Sequence, residues 1–209
     1  MREILLATGN VGKAKEMSEI LSTAGDEVSH NVRWRHLREF AGWPEAVEDG
    51  RTFLENARSK ALHYARLSGL WTIADDSGLE VDALSGEPGV RSARYAGEPK
   101  SDQANNALLV KRLAGVPDER RTACFRCAVV LADSQQVLAS AEGTVEGRIV
   151  DAPRGANGFG YDPHFLVVSA GMTAAEMPSE QKHAVSHRGQ ALRRLSAQLA
   201  ALLSEHPVL

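Results

Sequence analysis

The sequence predicts an α/β protein built on a mixed β-sheet. Near both ends of the chain, short apolar runs alternate with segments whose apolar residues recur every three or four positions. The middle of the chain, residues 122–150, is rich in β-branched and apolar residues and contains a hairpin-like turn. Strands that alternate with helices around a central hairpin are typical of this fold class.

The first strand and helix are predicted on either side of a short glycine loop. Residues Glu3 to Ala7 are mostly apolar and end at Thr-Gly-Asn, which indicates a short buried strand. A helix is predicted from Lys13 to Ala24, because its apolar residues share one face and Gly25 can cap its end. Those apolar residues are Met17, Ile20, Leu21 and Ala24. Residues 26–48 follow no clear period, and no element is assigned to them.

A capping box predicts the start of the second helix. Thr52 and Glu55 stand three residues apart, the spacing at which each side chain can bond the other residue's backbone N–H. We expect this helix to continue to about Leu67 and to stop before Gly69. Its apolar face is formed by Phe53, Ala57, Ala61 and Ala65.

The rest of the chain is predicted to hold short strands and two further helices. Residues 70–74 form an apolar strand, which we expect a turn at residues 75–78 to end. Ser101 can cap a third helix that ends near Gly115. The remaining strands are predicted at residues 122–131, 137–139, 145–150 and 165–168. A helix from about His187 to Leu203, with a leucine stripe for the core, closes the chain.

Composition limits the functions that the protein can have. The 209 residues include 24 Lys and Arg against 27 Asp and Glu, which gives a formal net charge of −3. A general nucleic-acid coat or a binder of anionic membranes needs an excess of positive charge. The two cysteines are too few for a disulfide scaffold, and we see neither a signal peptide nor an apolar run long enough for a transmembrane helix. We therefore expect a cytoplasmic protein with one domain, residues 1–209, that can bind small anions through local cations.

The loop at residues 8–13 is a candidate phosphate site. Its sequence, Thr-Gly-Asn-Val-Gly-Lys, lies between a predicted strand and a predicted helix. It departs from the P-loop pattern at Ala7 and Ala14. Backbone N–H groups at a helix N-terminus and a nearby ammonium can nevertheless hold a phosphate. A plain strand-to-helix turn that uses glycine for its backbone freedom is an equal alternative.

Two adjacent carboxylates, Asp75 and Asp76, form a candidate metal site. They follow a predicted strand, and divalent cations relieve the repulsion between neighbouring carboxylates. Mg²⁺ usually takes one or two protein carboxylates and completes its shell with water and substrate phosphate. The alternative is a turn in which one aspartate caps the next backbone N–H. Glu48 could add a further carboxylate, although a solvated loop also explains it.

The glycine-rich loop at residues 153–163 carries the aromatic residues Phe159 and Tyr161. An aromatic pair held by glycines can stack on a flat base or on a sugar. The alternative is a loop whose aromatic rings fill an edge of the core.

The start of the last helix concentrates hydrogen-bond donors. Lys182, His187 and Arg188 together suit carbonyl or phosphate oxygens. The alternative is that Ser186 caps the helix and that the polar residues around it are simply solvated, which is a sufficient explanation for any one of them.

A zinc site is the competing interpretation of the cysteines. Cys124 and Cys127, and likewise His183 and His187, have spacings that resemble zinc ligands. However, 55 residues separate the two pairs, and residues 124 and 127 of one strand point to opposite faces. We therefore interpret the cysteines as structural residues of a sheet.

Six segments, taken together, resemble the inosine/xanthosine triphosphate pyrophosphatase family, also called Ham1-like. They follow the family's order and span nearly the whole chain: LLATGNVGKAKE at 5–16, RTFLENARSKA at 51–61, ADDSGLEVDAL at 74–84, GEPGVRSARYAG at 86–97, APRGANGFGYDPHF at 152–165 and SHRGQAL at 186–192. Two departures are Arg91, where an aromatic residue is common, and His183, where asparagine often follows the lysine.

The resemblance implies an elongated mixed sheet flanked by helices, with two lobes, a central cleft and no linker. It also implies a cytoplasmic homodimer that uses Mg²⁺ to hydrolyse ITP, dITP and XTP to the nucleoside monophosphate and pyrophosphate. This activity cleanses the nucleotide pool of deaminated purines.

The resemblance also implies a role for each matching residue. Asp76 would be the catalytic carboxylate and a metal ligand, and Glu48 would be a second metal ligand. The residues that would bind substrate are Thr8, Gly9, Asn10, Val11, Gly12, Lys13, Ser77, Phe159, Gly160, Tyr161, Asp162, Lys182, His187 and Arg188. The first six would hold the triphosphate, residues 159–162 would cover the base and sugar, and the last three would bind the purine edge. Asn56, Lys60 and Arg94 are further candidate polar contacts.

Two other functions are kept as alternatives. One is a Maf-type nucleotide pyrophosphatase of different base specificity. The other is a module that senses nucleoside triphosphates without hydrolysing them.

Overall fold

A computed structural model describes residues 1–23 and 25–206 of the chain. Within these residues seven strands form one sheet in the order β2-β1-β3-β4-β5-β6-β7. The strands are β1 (Arg2–Leu6), β2 (Val32–His36), β3 (Trp71–Val81), β4 (Thr122–Ala132), β5 (Val137–Ile149), β6 (Phe165–Val167) and β7 (Met172–Thr173). The α-helices are α1 (Val11–Ser22), α2 (Asp26–Asn31), α3 (Phe53–Ser68), α4 (Asp102–Arg112), α5 (Ser179–Val185) and α6 (His187–Glu205).

The sheet is mixed, which confirms the predicted fold class. Strand β1 pairs in parallel with β2 and β3, whereas β6 pairs antiparallel with β5 and β7. The helices of the described residues lack the combination of length and apolarity that a membrane span requires.

The predicted first helix is confirmed, but its bounds differ. Helix α1 begins at Val11, because the side chain of Asn10 accepts a hydrogen bond from the Lys13 N–H and caps the first turn. Ala24, which we had placed in this helix, lies outside the described residues. The unassigned stretch at 26–48 contains α2 and β2, two short elements whose periodicity was too weak to recognise.

The predicted capping box opens α3. Thr52 Oγ1 accepts from the Glu55 N–H at 3.1 Å, and Glu55 Oε2 accepts from the Thr52 N–H at 3.1 Å. Gly69 ends the helix with a φ of 69°, a left-handed conformation that favours glycine. Helix α4 is likewise capped by Ser101, as predicted.

The prediction that a turn at residues 75–78 ends the third strand is wrong. Strand β3 continues through these residues to Val81, with β1 and β4 as its neighbours in the sheet. Each aspartate has a buried side-chain partner, Arg188 for Asp75 and Asn56 for Asp76, and so both can lie inside a strand. Residues 137–150, predicted as two strands, form the single strand β5, and the short elements β7 and α5 were not predicted.

The chain groups into two compact units. The first comprises the described part of residues 1–76, 127–143 and 188–209, and the second comprises residues 77–126 and 144–187. In the first unit α1 and α6 pack on residues of β1, β3 and β4, including Met17, Leu21, Leu195, Ile73 and Val129. The second unit has its own core, which includes Leu79, Leu109, Phe125, Phe165 and Met177. The prediction of a single domain with a central cleft remains a prediction.

Candidate active site

The candidate phosphate loop joins β1 to α1 in the first unit. Asn10 Oδ1 accepts from the Lys13 N–H at 3.0 Å, and the Asn10 N–H donates to Thr8 Oγ1 at 3.2 Å. Gly9, Asn10 and Val11 are exposed, so solvent reaches the first turn of the helix. The exposed N-terminus and the Lys13 side chain provide the donors and the positive charge that a phosphate site requires.

Asp75 is completely buried and paired with two cations. Its Oδ2 lies 3.1 Å from Lys13 Nζ and 3.2 Å from Arg188 Nη2. Burial alone would raise the pKa of Asp75, but the charges of Lys13, Arg188 and Lys60 hold it well below its usual range. Arg188 also forms an ion pair with Glu16 of α1. Asp75 is therefore a fixed anion that holds Lys13 and Arg188.

Asp76 lies in a different environment. Its Oδ2 accepts a hydrogen bond from Asn56 Nδ2 of α3 at 3.0 Å. Burial raises the pKa of this carboxyl, and the charges of Lys13 and Lys60 partly oppose that rise. A carboxylate with a raised pKa, next to a phosphate loop, is suited to accept a proton from water.

Successive side chains of a strand point to opposite faces, which separates the two aspartates. Asp75 therefore shares its face with Ile73, which packs in the core formed with α1 and α6. Asp76 points to the opposite face, where Asn56 of α3 reaches it. Adjacency in sequence predicts one repelling pair, whereas in the structure each carboxylate has its own partners.

Glu48 and Lys60 lie on the Asp76 side of the site. Lys60 Nζ is 2.8 Å from Glu48 Oε1 and donates to the Asp75 backbone carbonyl at 3.1 Å. Burial is the main cause of the raised pKa of Asp76, and the charge of Glu48 adds to that rise. Among the described residues no cluster of three or more His, Cys, Asp or Glu residues is assembled for a metal. Two carboxylates nevertheless fit a Mg²⁺ ion, which takes its other ligands from water and phosphate.

The second unit contains the aromatic loop. Asp162 Oδ2 lies 2.6 Å from Lys182 Nζ and accepts from the Phe159 N–H at 2.9 Å. Lys182 Nζ is 5.1 Å from the centre of the Phe159 ring, within the range of a cation–π contact. Gly158 has a φ of 75°, and a Cβ there would lie 2.1 Å from Asp162 Oδ2, so this position requires glycine.

Behind this loop the second unit has a mainly apolar pocket. Phe125, Val145 and Phe165 contribute to its apolar wall, while Lys182 and His187 contribute polar groups. The rings of Phe125 and His187 are stacked, with centres 4.9 Å apart.

The structure distinguishes the two predicted aromatic residues. Phe159 is half-buried, whereas Tyr161 is buried and donates its hydroxyl hydrogen to the Ser92 carbonyl at 2.8 Å. Burial raises the pKa of Tyr161. The Tyr161 ring therefore fills the core, as the alternative interpretation of this loop predicted. Of the two rings, Phe159 is the one that can cover a ligand.

The predicted site residues fall into two groups. The first unit holds residues 8–13, Glu48, Asp76 and Arg188, and the second holds Ser77, residues 159–162, Lys182 and His187. Arg188 was grouped with His187, but its guanidinium contacts Asp75 and Glu16 in the first unit. Neighbouring positions of a helix point about 100° apart, which explains the difference.

Sequence reasoning missed Glu16. It is a buried carboxylate on α1, three residues after Lys13 and beside the core residue Met17. A charged residue next to the apolar face of a helix could have indicated a buried ion pair.

The chain is similar to known proteins over nearly its whole length. The family model described as the Ham1 family matches residues 4–198. A protein of Desulforamulus reducens named dITP/XTP pyrophosphatase is 49% identical over 192 residues, which cover 92% of each chain. A protein of Geobacter sulfurreducens with the same name is 48% identical over 99% of this chain and 96% of its own.

Solved structures show the same fold. A HAM1 protein from Coxiella burnetii matches with a TM-score of 0.83 and 41% identity over 96% of this chain and 100% of its own. The Staphylococcus aureus Ham1 protein matches with a TM-score of 0.82 and 39% identity over the same shares.

Proposed function

Because the chain belongs to the Ham1 family, we propose that it hydrolyses dITP, XTP and ITP to the nucleoside monophosphate and pyrophosphate. Relatives named dITP/XTP pyrophosphatase, which cover nearly the whole chain, support the substrate class. The structural observation that carries the proposal is the buried Asp76, whose pKa is raised, in the same unit as Lys13 and its exposed helix terminus. This arrangement supports attack of water on a bound phosphate chain.

The phosphate chain would bind at residues 8–13. The N-terminus of α1 offers backbone donors, and Lys13 offers an ammonium that Asp75 keeps in place. Positive charge at this point stabilises the pyrophosphate that leaves when water attacks the α-phosphorus. Asp76 would orient that water and accept its proton.

Asp76 and Glu48 would hold the Mg²⁺ ion that we propose as cofactor. Both supply oxygen ligands, which Mg²⁺ prefers. When bound, the ion would offset negative charge on the transferred phosphoryl group and on the leaving group. Lys60 forms an ion pair with Glu48, and the Glu48 carboxylate would bind both Lys60 and the Mg²⁺ ion.

The base would lie in the second unit. Lys182 and His187 can donate hydrogen bonds to the 6-oxo group of hypoxanthine or xanthine, whereas adenine presents an amino donor there. A site whose buried donors lose their partners with the wrong ligand can discriminate by about 10⁴-fold. Arg188 remains a predicted contact of the base, and its ion pairs give it a second role in holding Asp75 and Glu16.

We also propose that the protein acts in the cytoplasm as a homodimer, as the family resemblance implies. Light scattering on the purified protein tests the oligomeric state, and a mass of one chain would contradict the dimer.

The test of the function is to identify the products. Wild type with Mg²⁺ should release pyrophosphate from dITP, XTP and ITP, and much less from dGTP or dATP. EDTA should abolish turnover, and Asp76→Asn should lower kcat by at least about 10²-fold, the range for loss of a general base. Asp118→Asn, at an exposed position, is the matched control and should retain wild-type activity.

Other outcomes would favour other functions. Release of orthophosphate would exclude attack at the α-phosphorus, and selective turnover of pyrimidine nucleotides would favour the Maf-type alternative. Tight binding of dITP without any turnover would favour the sensing module.

A further inference from the structure

Helix α4 binds both backbone polar groups of one residue in the aromatic loop, Gly160. Asp102 Oδ2 accepts a hydrogen bond from the Gly160 N–H at 2.8 Å. Asn106 Nδ2 donates to the Gly160 carbonyl at 2.9 Å. Asp102 and Asn106 are four residues apart and so lie on the same face of the helix. Together they form a clamp on Gly160.

Gly160 separates the two aromatic residues of the loop. Its φ of 62° lies in the left-handed region, so the chain turns sharply between Phe159 and Tyr161. On one side the Phe159 N–H donates to Asp162, which also binds Lys182. The backbone of Gly160 therefore affects the position of the Phe159 ring, to which it is bonded, and of the Lys182 ammonium, which Asp162 links to Phe159.

The helix that carries the clamp is itself fixed in the second unit. Asn105, which is buried, accepts from the Ala96 N–H at 2.8 Å and donates to the Ala93 carbonyl at 3.2 Å. Leu109 on the same helix packs in the core of this unit. Helix α4 therefore gives the clamp a rigid base, whereas the loop around Gly160 is rich in glycine and has little regular structure of its own.

We propose that Asp102 and Asn106 are positioning residues for recognition of the base. They act through the N–H and the carbonyl of Gly160 and keep Phe159 and Lys182 in the arrangement that receives the purine. The proposal rests on the proposed function, because it concerns the base end of the same substrate. Because the clamp fixes the loop before the base binds, less conformational entropy is lost on binding, and the affinity for the base is higher.

The test compares two variants at one position. Asp102→Ala removes the acceptor for the Gly160 N–H, whereas Asp102→Asn removes the charge but keeps an acceptor oxygen. Asp102 is exposed, so we expect both variants to fold. Gln103→Ala, in the same exposed turn of α4, is a matched control.

The measurement separates the two ends of the substrate. We expect Asp102→Ala to raise KM for dITP and the inhibition constant of dIMP about three- to tenfold, the effect of one lost hydrogen bond. The inhibition constant of inorganic pyrophosphate and kcat should stay at wild-type values. Asp102→Asn and Gln103→Ala should resemble wild type in all four quantities.

A second position tests the other half of the clamp. Asn106→Asp keeps the size of the side chain but removes the donor to the Gly160 carbonyl. We expect the same selective weakening of dIMP binding as in Asp102→Ala. Hydrogen exchange at the Gly160 amide, which needs no substrate, should also be faster in Asp102→Ala than in wild type.

Three results would overturn the proposal. Wild-type dIMP inhibition in both Asp102→Ala and Asn106→Asp would mean that the clamp has no influence on the base. Equal weakening of dIMP and pyrophosphate would indicate general damage to the protein. Unchanged exchange at Gly160 would show that Asp102 does not restrain this peptide. Wild-type enzyme that fails to hydrolyse dITP would instead contradict the proposed function, and the exchange measurement would still test the clamp.

Discussion

At the scale of single residues, the two adjacent aspartates of β3 have different electrostatic environments. Asp75 is an anion held by Lys13 and Arg188, and its pKa is lowered. Asp76 is buried beside an amide, and its pKa is raised. The first environment stabilises a charge permanently, whereas the second leaves a carboxyl that can take up a proton at higher pH than usual.

We expect Asp75→Asn to lower the free energy of unfolding by about 3–5 kcal/mol at pH 7, because it leaves buried cations without their carboxylate. The folded pKa of Asp75 is depressed, so its contribution is fully present above the unfolded value of about 4. It is lost as the pH falls through the lower folded pKa.

Urea unfolding in metal-free buffer at several pH values measures this difference. The gap between wild type and Asp75→Asn should be constant from about pH 5 to 8 and should narrow below about pH 4. Equal stability at pH 7, or a gap that widens in acid, would contradict the ion-pair role of Asp75.

Local patterns predict candidate residues of the site but not their contacts. A glycine loop and an acidic pair, each after an apolar strand, indicate Lys13 and the pair Asp75 and Asp76 as candidates, and only the family resemblance distinguishes Asp76 from Asp75. The partners of Arg188 could not be predicted, since Glu16 and Asp75 lie far from it in sequence. Likewise, no local pattern separates the half-buried Phe159 from the buried Tyr161.

At the scale of elements, the best predicted helices are those with explicit end signals. Helix α3 has both a capping box and a terminal glycine, and its bounds agree with the prediction to within about one residue. Helix α2 and strand β2 are short and have no such signals. The predicted third strand was too short, because acidic residues such as Asp75 and Asp76 are typical of turns. Their tertiary partners, which the local sequence does not show, make these residues compatible with a strand.

Helix α3 also carries Asn56 and Lys60 into the site, so its cap matters for more than local stability. We expect Thr52→Ala to lower the free energy of unfolding by about 1 kcal/mol, because the Glu55 N–H loses its acceptor. This corresponds to a decrease in Tm of about 2–4 °C. Thr52→Ser keeps the hydroxyl and should stay within about 1 °C of wild type. A calorimetric Tm for Thr52→Ala that equals that of Thr52→Ser would contradict the cap.

At the scale of the whole molecule, two hydrophobic cores share strands of one sheet. Strand β3 contributes Ile73 to the first core and Leu79 to the second, and β4 contributes Val129 and Phe125 in the same way. The alternation of strands and helices was enough to predict a mixed α/β sheet. It could not predict the division into two units, because three of their boundaries fall inside strands and the fourth falls in the first turn of α6.

The shared strands predict cooperative unfolding. Leu109→Ala in the second core should lower the free energy of unfolding by about 2–5 kcal/mol. All three tryptophans, Trp34, Trp43 and Trp71, lie in the first unit, and their fluorescence reports on that unit alone. We expect Leu109→Ala to shift the fluorescence transition as much as the circular dichroism transition, as Leu195→Ala in the first core should.

Separate midpoints for the two probes in Leu109→Ala would contradict this prediction. They would mean that the second unit can unfold while the first stays intact.

Because Asp75 and Asp76 owe their different environments to alternation along β3, the site depends on the length of this segment more than on its exact composition. Exchange of one apolar residue for another at Ile73 or Ala74 leaves both carboxylates on their own faces. Gain or loss of one residue there would turn each carboxylate to the opposite face, so that neither would keep its present partner, Lys13 or Asn56. During divergence this stretch can therefore tolerate many substitutions but hardly any change in the number of its residues.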